Sequence, residues 1–346
     1  MNINDYGFDY PADYLAGMNG IPARITAVHK GRFGIVSDFG EGFAVLKGRE
    51  YYHDGEAFPT VGDFVLMEHN TDGDSRIIKT LTRRTYFSRR DPDKGSGEQA
   101  VAANFDYVFI MQSMNHDFNP KRMERYLTAA RQSKAEPVIV LTKADLTDDY
   151  LPYILEVSRM AEGVRLCIVS AKTGYGLNEL SPYLQKGKTL VFLGSSGVGK
   201  SSLVNALAGE KMMDVNGIRE DDSKGRHTTT HRELIMLQSG VMVIDTPGMR
   251  ELGMWDISEG LNEAFADMEA LAQQCRFRDC RHEQEPGCAV RKAIETGALD
   301  ERRFESYQKI KAEAKYSGDP TEYRRQKEQF FKRIVMGERK KKKDVY

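Results

Sequence analysis

The stretch GSSGVGKS, residues 194–201, decides the fold of this chain. It matches the pattern G-x-x-x-x-G-K-[ST], in which glycines allow backbone N–H groups to wrap around phosphates. The apolar run KTLVFL precedes it, and SSLVNALAG follows it with Leu203 and Leu207 one helical turn apart. The loop is therefore expected between a buried strand and a helix, whose N-terminus adds its own field to an anion site.

A nucleotide phosphate in this loop gives the individual side chains distinct roles. Lys200 would reach the β and γ phosphates, which makes it a catalytic candidate, and the Ser201 hydroxyl would hold Mg²⁺. The alternative is a Gly/Ser turn without a ligand, which the flanking strand and helix disfavour. The predicted nucleotide contacts in this loop are Gly194, Ser195, Ser196, Gly197, Val198, Gly199, Lys200, Ser201 and Ser202.

A second phosphate motif, DTPG at 245–248, follows the apolar run VMVI. Asp245 is predicted to hold Mg²⁺ through water, and the Gly248 N–H to contact the γ-phosphate. Between the two motifs lies GRHTTTHREL, 225–234, in which one of Thr228, Thr229 or Thr230, taken as Thr229, would complete the metal shell only when a γ-phosphate is present. Such a segment would order and disorder with hydrolysis. Alternatively, the threonines simply begin the next strand.

The stretch LTKAD, residues 141–145, is typical of a loop that reads a guanine base. Asp145 can accept hydrogen bonds from guanine N1–H and N2–H₂, a donor pair that adenine lacks, while the Lys143 stem can cover the ring. SAK, residues 170–172, ends the apolar run LCIVS and would bring a backbone N–H to guanine O6. The predicted base contacts are Thr142, Lys143, Ala144, Asp145, Ser170, Ala171 and Lys172.

The order of these motifs, base before phosphate, is rotated relative to an ordinary GTPase. Near-continuous apolar runs separated by helical stretches predict a parallel α/β sheet, and such a sheet brings all of its carboxyl-end loops to one edge whatever their order in the chain. The sequence therefore predicts a circularly permuted P-loop GTPase domain at 101–254. Its second switch, DTPGMREL, runs directly into the C-terminal region. The apolar runs are YVFIMQS, PVIVLT, LCIVS, TLVFLGS and VMVIDTP.

Short β-type runs separated by turn residues precede this domain, between Ile21 and Arg84. Five of them favour a small OB-like β-barrel at 1–84, with an N-terminal extension, and such barrels often bind oligonucleotides. Residues 85–100 are polar and contain Pro, Gly and Ser, so that they predict a linker or an exposed loop. The five runs are ARITAVHK, RFGIVSDFG, GFAVLKG, GDFVLMEH and SRIIKTLT.

The stretch CRFRDCRHEQEPGC, residues 275–288, has the spacing C-x₄-C-x-H-x₅-C. Thiolates with one imidazole suit tetrahedral Zn²⁺, and a closed set of four leaves no open position, so one structural zinc per chain is expected. Cys167 lies in an apolar run and is interpreted as a core residue. The surrounding pattern predicts a helical zinc-binding domain with a basic tail at 255–346. The four predicted ligands are Cys275, Cys280, His282 and Cys288.

Composition and charge restrict the remaining function classes. No stretch of the 346 residues approaches the roughly 20 apolar residues of a membrane span. The acidic N-terminus lacks the basic head of an export signal, so we expect a cytoplasmic protein with no membrane partner. The net charge is −1, but residues 301–346 carry a balance of +7 that peaks in ERKKKKDVY, 338–346. This tail is either a solvated end or a set of phosphate contacts.

The motifs together resemble the RsgA family (YjeQ/YloQ), circularly permuted GTPases for biogenesis of the bacterial small ribosomal subunit. The resemblance rests on GSSGVGKS, GRHTTT, DTPGMREL, CRFRDCRHEQEPGC and the phrase EQAVAANFDYVFIM, and it covers nearly the whole chain. It implies that GTP hydrolysis is stimulated by the 30S subunit and that the barrel and zinc domain bind 16S rRNA. It further implies late maturation as the step served and release in the GDP state.

Two positions depart from what such motifs would suggest. Many members of the family carry Asn, which would contact guanine N7, where this chain has Thr142. Met249 follows DTPG where Ras-like enzymes place a catalytic Gln, so we expect slow intrinsic turnover. The resemblance makes His227 a candidate to position the attacking water, against a histidine that only packs locally.

The leading hypothesis is a GTP-hydrolysing assembly factor of the small subunit that uses Mg²⁺ with GTP and acts as a monomer. One alternative is a permuted GTPase that acts on another RNA, such as tRNA or the large subunit. Another is a nucleotide-gated RNA-binding module in which hydrolysis is incidental. Intact Lys200, Ser201 and Asp245 favour an enzyme over a pure binder.

Overall fold

The computed structural model describes residues 2–48, 58–90, 98–210, 213, 232–245 and 258–318. These residues form two compact units. The first contains the described residues up to 89 and those from 98 to 245, and the second contains residues 258–318.

Five strands close a barrel near the N-terminus. β1 pairs with both β2 and β4, β2 pairs with β3, and β3 pairs with β5, which returns to β4. Alternate side chains, among them Ile25, Phe33 and Met67, are buried together inside, as the period-2 pleat of a strand requires. The predicted OB-like β-barrel is confirmed. The strands are β1 Ile21–His29, β2 Arg32–Ser37, β3 Gly40–Leu46, β4 Phe64–Glu68 and β5 Ser75–Thr80.

The structure differs from the predicted linker at both ends of 85–100. β6 (Tyr86–Arg90) and β7 (Glu98–Ala103) pair as a two-stranded sheet. Phe87 is buried and stacks on Phe105 with ring centroids 4.8 Å apart. The polar composition concealed this strand pair, because one apolar side chain anchors the first strand and the second strand continues beyond the predicted linker.

A second set of strands extends from the barrel as a mostly parallel sheet in the order β10-β9-β8-β11-β13-β12. The five strands from β10 to β13 in this order are parallel to one another, and β12, at the end of the order, is antiparallel to β13. They correspond to the five apolar runs of the sequence, which confirms the predicted parallel sheet of a permuted nucleotide domain. The strands are β8 Tyr107–Ser113, β9 Glu136–Thr142, β10 Arg165–Ile168, β11 Thr189–Leu193, β12 Arg232–Met236 and β13 Met242–Asp245.

Both faces of this sheet are buried, which explains why its strands are apolar throughout. In β8, Val108 and Ile110 belong to one core, whereas Phe109 and Met111 belong to the other. Helices α2 and α3 pack on the first face and α4 on the second. The helices of this unit are α1 Ala12–Leu15, α2 Pro120–Gln132, α3 Leu151–Met160 and α4 Lys200–Ala208, with 3₁₀ turns at Ile3–Tyr6, Ala144–Leu146 and Leu177–Tyr183.

The barrel and the parallel sheet are continuous through β1. Its first residues close the barrel against β4, and its last residues pair with β12, where Ala27 lies opposite Glu233. The fully buried Arg24 reinforces this junction: its guanidinium donates to the backbone oxygens of Tyr6 and Asn104 at 2.5 and 2.8 Å and to that of Gly62 at 3.3 Å. One side chain thus ties the N-terminal segment, the barrel and the turn between β7 and β8 together.

The second unit is helical, as predicted for the region after the sheet. Its core contains Phe265, Met268, Val290 and Phe304, and one of the four cysteines, Cys288, is buried with them. Among the residues described, we find no helix whose length and apolar character would allow it to cross a membrane. The helices are α5 Ser258–Ala264, α6 Ala266–Ala272, α7 Ala289–Glu295 and α8 Glu301–Gly318.

Candidate nucleotide site and metal centre

The loop at 194–201 follows β11 and has a backbone that requires glycine. Gly197 and Gly199 have φ angles of 69° and 106°, in the left-handed region, where a Cβ atom is strained. A Cβ atom at Gly194 would lie 3.1 Å from the main-chain oxygen of Met111. The sequence pattern therefore encodes a turn in which successive N–H groups can face an anion.

Lys200 begins α4 and turns back onto this loop. Its ammonium donates hydrogen bonds to the backbone oxygens of Gly194 at 2.7 Å and Ser195 at 2.9 Å. Ser201 and Ser202 lie beside it in the first helical turn and are half-buried. The ammonium, the serine hydroxyls and the positive end of the helix therefore lie together at one loop.

A neighbouring polar cluster was not predicted from the sequence. The Ser195 hydroxyl donates to the Asp117 carboxylate at 2.5 Å, and Asp117 also pairs with Arg122 at 3.0 Å. Burial raises the pKa of Asp117, but the hydrogen bonds from Ser195 and Arg122 outweigh burial and lower the pKa overall. The available signal was the polar run SMNHDFN, which follows a buried strand at the same edge of the sheet as the phosphate loop.

The other phosphate-side residues are only partly within the described chain. Asp245 is the last residue of β13, which is parallel and adjacent to β11, so its backbone reaches the same edge as the loop at 194–201. Gly248, His227 and Thr229 lie outside the described residues.

The base-recognition motif follows β9 in a tight turn. Lys143 has a left-handed backbone with φ of 59°, which directs the chain into the short 3₁₀ turn that contains Asp145. The Asp145 carboxylate accepts a hydrogen bond from the Ser170 hydroxyl at 2.6 Å and lies 3.9 Å from the Lys172 ammonium. The Ser170 hydroxyl lowers the pKa of Asp145, so its carboxylate stays ionised as a hydrogen-bond acceptor.

The SAK loop is built against the end of β10. Gly176 approaches so closely that a Cβ atom there would lie 2.0 Å from the Ile168 oxygen, which fixes the return of the loop. The Ser170 hydroxyl also accepts from the Thr173 N–H at 3.3 Å. Ala171 is half-buried and Lys172 is exposed. Ser170, predicted only as a base-loop residue, is in addition the partner that orients Asp145.

Thr142, the last residue of β9, is buried and joins the two motifs. Its hydroxyl lies 2.6 Å from the Val198 oxygen in the phosphate loop and 3.3 Å from the Gln112 oxygen at the end of β8. Ala144 then donates its N–H to the Val169 oxygen at 3.1 Å. The base loop is therefore hydrogen-bonded to the carboxyl ends of both neighbouring strands, β8 and β10.

The four predicted metal ligands of the second unit converge. The ligand atoms of Cys275, Cys280, His282 and Cys288 all lie within 4.8 Å of one another. The Cys275 and Cys288 sulfurs are 3.9 Å apart, and His282 Nδ1 lies 3.6 and 3.4 Å from them. Tetrahedral coordination with Zn–S and Zn–N bonds of about 2.3 and 2.0 Å requires edges of roughly 3.8 and 3.5 Å, so the spacing of these three atoms fits a zinc-sized ion.

The surroundings of this cluster act differently on its individual thiols. The Arg291 N–H, in the first turn of α7, donates to the Cys288 sulfur at 3.4 Å. Burial raises the pKa of Cys275, but the backbone N–H groups of Val290 and Ala289 outweigh burial, and the net pKa is lowered. Burial and the neighbouring cysteines raise the pKa of Cys280 to about 11. A bound cation would favour the deprotonated form of all three cysteines, because thiols bind a metal as thiolates.

The phosphate loop, base loop and SAK loop thus meet at the carboxyl edge of one parallel sheet, in the rotated chain order that the motifs predicted. A sheet of this order with these loops defines a circularly permuted P-loop GTPase. A family model described as RsgA GTPase matches residues 80–255, just over half of the chain. The chain belongs to the RsgA GTPase family, and its activity is the hydrolysis of GTP.

Curated relatives and solved structures agree with this assignment. A protein named small ribosomal subunit biogenesis GTPase RsgA 2, from Listeria monocytogenes serotype 4b (strain F2365), is 45% identical over 91% of this chain and 90% of its own length. YjeQ from Thermotoga maritima is 29% identical with a TM-score of 0.64, over 85% of this chain and 98% of its own. YloQ, described as a circularly permuted GTPase, is 26% identical with a TM-score of 0.60, over 87% and 96%.

Proposed function

We propose that this chain acts on the small ribosomal subunit, binding the 30S particle and its 16S rRNA and hydrolysing GTP during late maturation. The curated relatives support this proposal through their names. The observation that carries it is the extent of the likeness, which spans about nine tenths of the Listeria relative and of this chain. The shared part therefore includes more than the nucleotide domain.

Within the nucleotide site, we assign the phosphates to the loop at 194–201 and the base to the other two loops. The Lys200 ammonium donates to the oxygens of Gly194 and Ser195 in this loop, and we assign it to the β and γ phosphates. Asp145, kept ionised by Ser170, accepts from guanine N1–H and N2–H₂. The SAK backbone then donates to guanine O6.

Two metal ions are assigned from the donor sets. Ser201, Thr229 and Asp245 offer oxygen donors of the kind Mg²⁺ prefers, and Mg²⁺ bound with GTP neutralises charge on its phosphates. The Cys₃His cluster offers three sulfurs and one imidazole within 4.8 Å of one another, a donor set that suits a structural Zn²⁺. The four zinc donors form a closed set, whereas phosphate oxygens of GTP and water would complete the Mg²⁺ shell.

Hydrolysis then needs a positioned water. The water oxygen attacks the γ-phosphorus in line while the bond to the β–γ bridging oxygen breaks, and GDP and inorganic phosphate are released. No glutamine follows DTPG, where Met249 stands, so intrinsic turnover is slow. We assign the orientation of the water to His227, in the segment 225–234, when the 30S subunit is bound.

The barrel offers a surface suited to unpaired RNA. Phe39 and Phe43 are 64% and 41% exposed on the β2–β3 hairpin, and Arg32 lies over the Phe43 ring at 3.6 Å. Phe39 stacks on His69 with ring centroids 4.4 Å apart. Exposed aromatic faces stack with nucleic-acid bases, and nearby cations contact phosphates, so we assign RNA contacts to this hairpin.

The test is the GTP hydrolysis rate of the purified protein alone, with 30S subunits and with 50S subunits, using ATP as a parallel substrate. We expect strong stimulation by 30S, with GTP only. Lys200→Ala is the control for contaminating hydrolases, because removing this ammonium should abolish the stimulated rate.

Other outcomes would assign the chain differently. Equal stimulation by 50S, or stimulation by tRNA alone, would favour a permuted GTPase for another RNA. If a variant that binds GTP without hydrolysing it still supported subunit maturation, the chain would be a nucleotide-gated RNA-binding module. On the leading proposal, the protein works in the cytoplasm as a monomer, with its barrel at 1–84, its GTPase domain at 101–254 and its zinc domain at 255–346.

A further inference from the structure

Thr142 stands where many members of the RsgA family carry an asparagine, whose amide would contact guanine N7. It is 4% exposed, at the end of a strand buried on both faces. Its hydroxyl oxygen lies 2.6 Å from the oxygen of Val198 and 3.3 Å from the oxygen of Gln112. Both neighbours are carbonyls, so the hydroxyl must be the donor in either contact.

The number of protons on the Thr142 side chain limits what it can donate to the base. A threonine hydroxyl has one proton, and the shorter of these two contacts uses it on Val198. Guanine N7 is only an acceptor, so it needs a donor. An asparagine amide carries two protons and could serve both partners, whereas Thr142 has none left for the base.

The phosphate loop is held in place by this hydrogen bond. The Val198 oxygen is buried within the loop, two residues before Lys200. A bond from the base strand to this oxygen fixes the phosphate loop relative to Asp145. Removing the donor would leave a buried carbonyl unsatisfied, which is unfavourable.

We propose that Thr142 is a positioning residue that fastens the phosphate loop to the base loop and leaves guanine N7 unread. The purine is then recognised along its Watson–Crick edge alone, by Asp145 and the SAK loop. A nucleotide altered only at position 7 is therefore accepted as well as GTP. This inference does not depend on the ribosomal role, because it concerns binding by the free protein.

The first experiment compares Mg²⁺-GTP with 7-deaza-GTP, in which carbon replaces N7. Equilibrium dissociation constants are measured by competition against a fluorescent guanine nucleotide on the full-length protein. We expect the two constants to agree within about twofold, because no hydrogen bond to N7 is lost. Loss of a neutral hydrogen bond weakens binding by roughly two- to tenfold, so binding of 7-deaza-GTP weaker than that of GTP by more than about twofold would overturn the proposal that N7 is unread.

Inosine triphosphate, which lacks the N2 amine, is the control for the assay. It should bind more weakly than GTP, because Asp145 loses one donor. If inosine triphosphate and 7-deaza-GTP both bound more weakly than GTP, the protein would read N7 after all.

Two substitutions test the positioning role. Thr142→Val keeps the shape and removes the hydroxyl, so it should weaken GTP and 7-deaza-GTP by the same factor of about five to tenfold. Thr142→Ser restores the hydroxyl and should recover most of that loss. Wild-type affinity in Thr142→Val would overturn the positioning role, as would failure of Thr142→Ser to bind better than Thr142→Val.

A third substitution adds the missing donor. Thr142→Asn should create a preference for GTP over 7-deaza-GTP that the wild-type protein lacks. Circular dichroism checks that each variant is folded before binding is compared. If folded Thr142→Asn and the wild type both prefer GTP equally, Thr142 does not determine how N7 is treated.

Discussion

Asp145 is the residue on which base choice depends, and its environment predicts a response to pH. The Ser170 hydroxyl and the nearby lysines lower the pKa of Asp145 below its ordinary value of 3.8. A group with a lowered pKa makes its ionised-state contribution above that pKa and loses it only as pH falls through the lowered value. Base selectivity should therefore be constant across the neutral and mildly acidic range.

The measurement is the ratio of GDP to ADP affinity between about pH 8 and about pH 5. The ratio cancels the titration of the phosphates, which the two nucleotides share. We expect no change across this range, and Ser170→Ala should move the onset of the acid decline to higher pH. A tenfold fall in the wild-type ratio by about pH 5 would mean that another group reads the base.

His227 gives the corresponding prediction for the chemical step. His227→Ala should abolish the stimulation of GTP hydrolysis by 30S subunits while nucleotide affinity stays unchanged, because the side chain is assigned to the water and not to GTP. His116→Ala is a comparison, since His116 is an exposed histidine outside the switch segments. An unchanged stimulated rate in His227→Ala would remove this residue from the mechanism.

Arg24 shows how a single buried side chain supports a junction. Arg24→Met removes the donor from three backbone oxygens, while it also removes the cost of burying a guanidinium, whose pKa burial lowers to about 10. We expect the unsatisfied oxygens to dominate, with a loss of about 3 kcal/mol in the free energy of unfolding. Urea denaturation measures it.

The control for that substitution is Arg76→Met, an exposed position on β5 of the same barrel. A surface change of this kind should stay within about 0.5 kcal/mol of the wild type. Equal stability of the Arg24→Met and Arg76→Met proteins would show that the guanidinium contributes no net stability to the junction.

At the scale of elements, the sequence was most informative where a pattern has one physical cause. Strands buried on both faces are apolar throughout, and strands of a barrel alternate, so both sheets were predictable. The phosphate loop was predictable because left-handed backbone angles in it require glycine. In contrast, β6 has a single buried aromatic anchor, Phe87, within a polar run, and that run masked the strand.

Side-chain partnerships across elements were not predictable. An arginine in a strand, such as Arg24, is ordinarily expected at the surface, and only the packing of three segments around it makes it internal. Likewise, Asp117 follows β8 while Ser195 follows β11, and only the strand order brings the two together. The motifs therefore identify the residues of the site, but only the strand order determines which other side chains lie beside them.

A substitution at Cys288 tests the metal centre of the helical unit. Cys288 both caps the N-terminus of α7 and belongs to the core around Phe265. Cys288→Ala should lose bound zinc and loosen helices α5 to α8, because a small core rarely suffices without such a link. Elemental analysis should find about one zinc per chain in the wild type, and hydrogen exchange should rise across 258–318 in the variant.

Cys167→Ala is the matched control for that variant. Cys167 is fully buried in the other unit, far from the cluster in sequence, so its loss should leave the zinc content unchanged. Full zinc occupancy in Cys288→Ala would contradict the assigned ligand set.

At the scale of the whole molecule, the charge distribution yields a prediction about the RNA partner. If the basic tail binds phosphates, deletion of 338–346 should lower the salt dependence of 30S binding, with the logarithmic slope falling by roughly 0.7 to 0.9 for each phosphate that the tail no longer neutralises. A variant with the same nine residues in shuffled order retains the charge and should retain the slope. An unchanged slope after deletion would make the tail a solvated end.

The rotated order of the strands also affects how the protein is made. The chain leaves the ribosome from its N-terminus, so β8, β9 and β10 exist before β11, which is the other neighbour of β8. At ordinary rates of synthesis this interval lasts on the order of ten seconds. Throughout it, a strand destined for the centre of the sheet has an open apolar edge, the kind of edge that invites mispairing. Translation speed and chaperone access between residues 113 and 193 should therefore determine the yield of active enzyme.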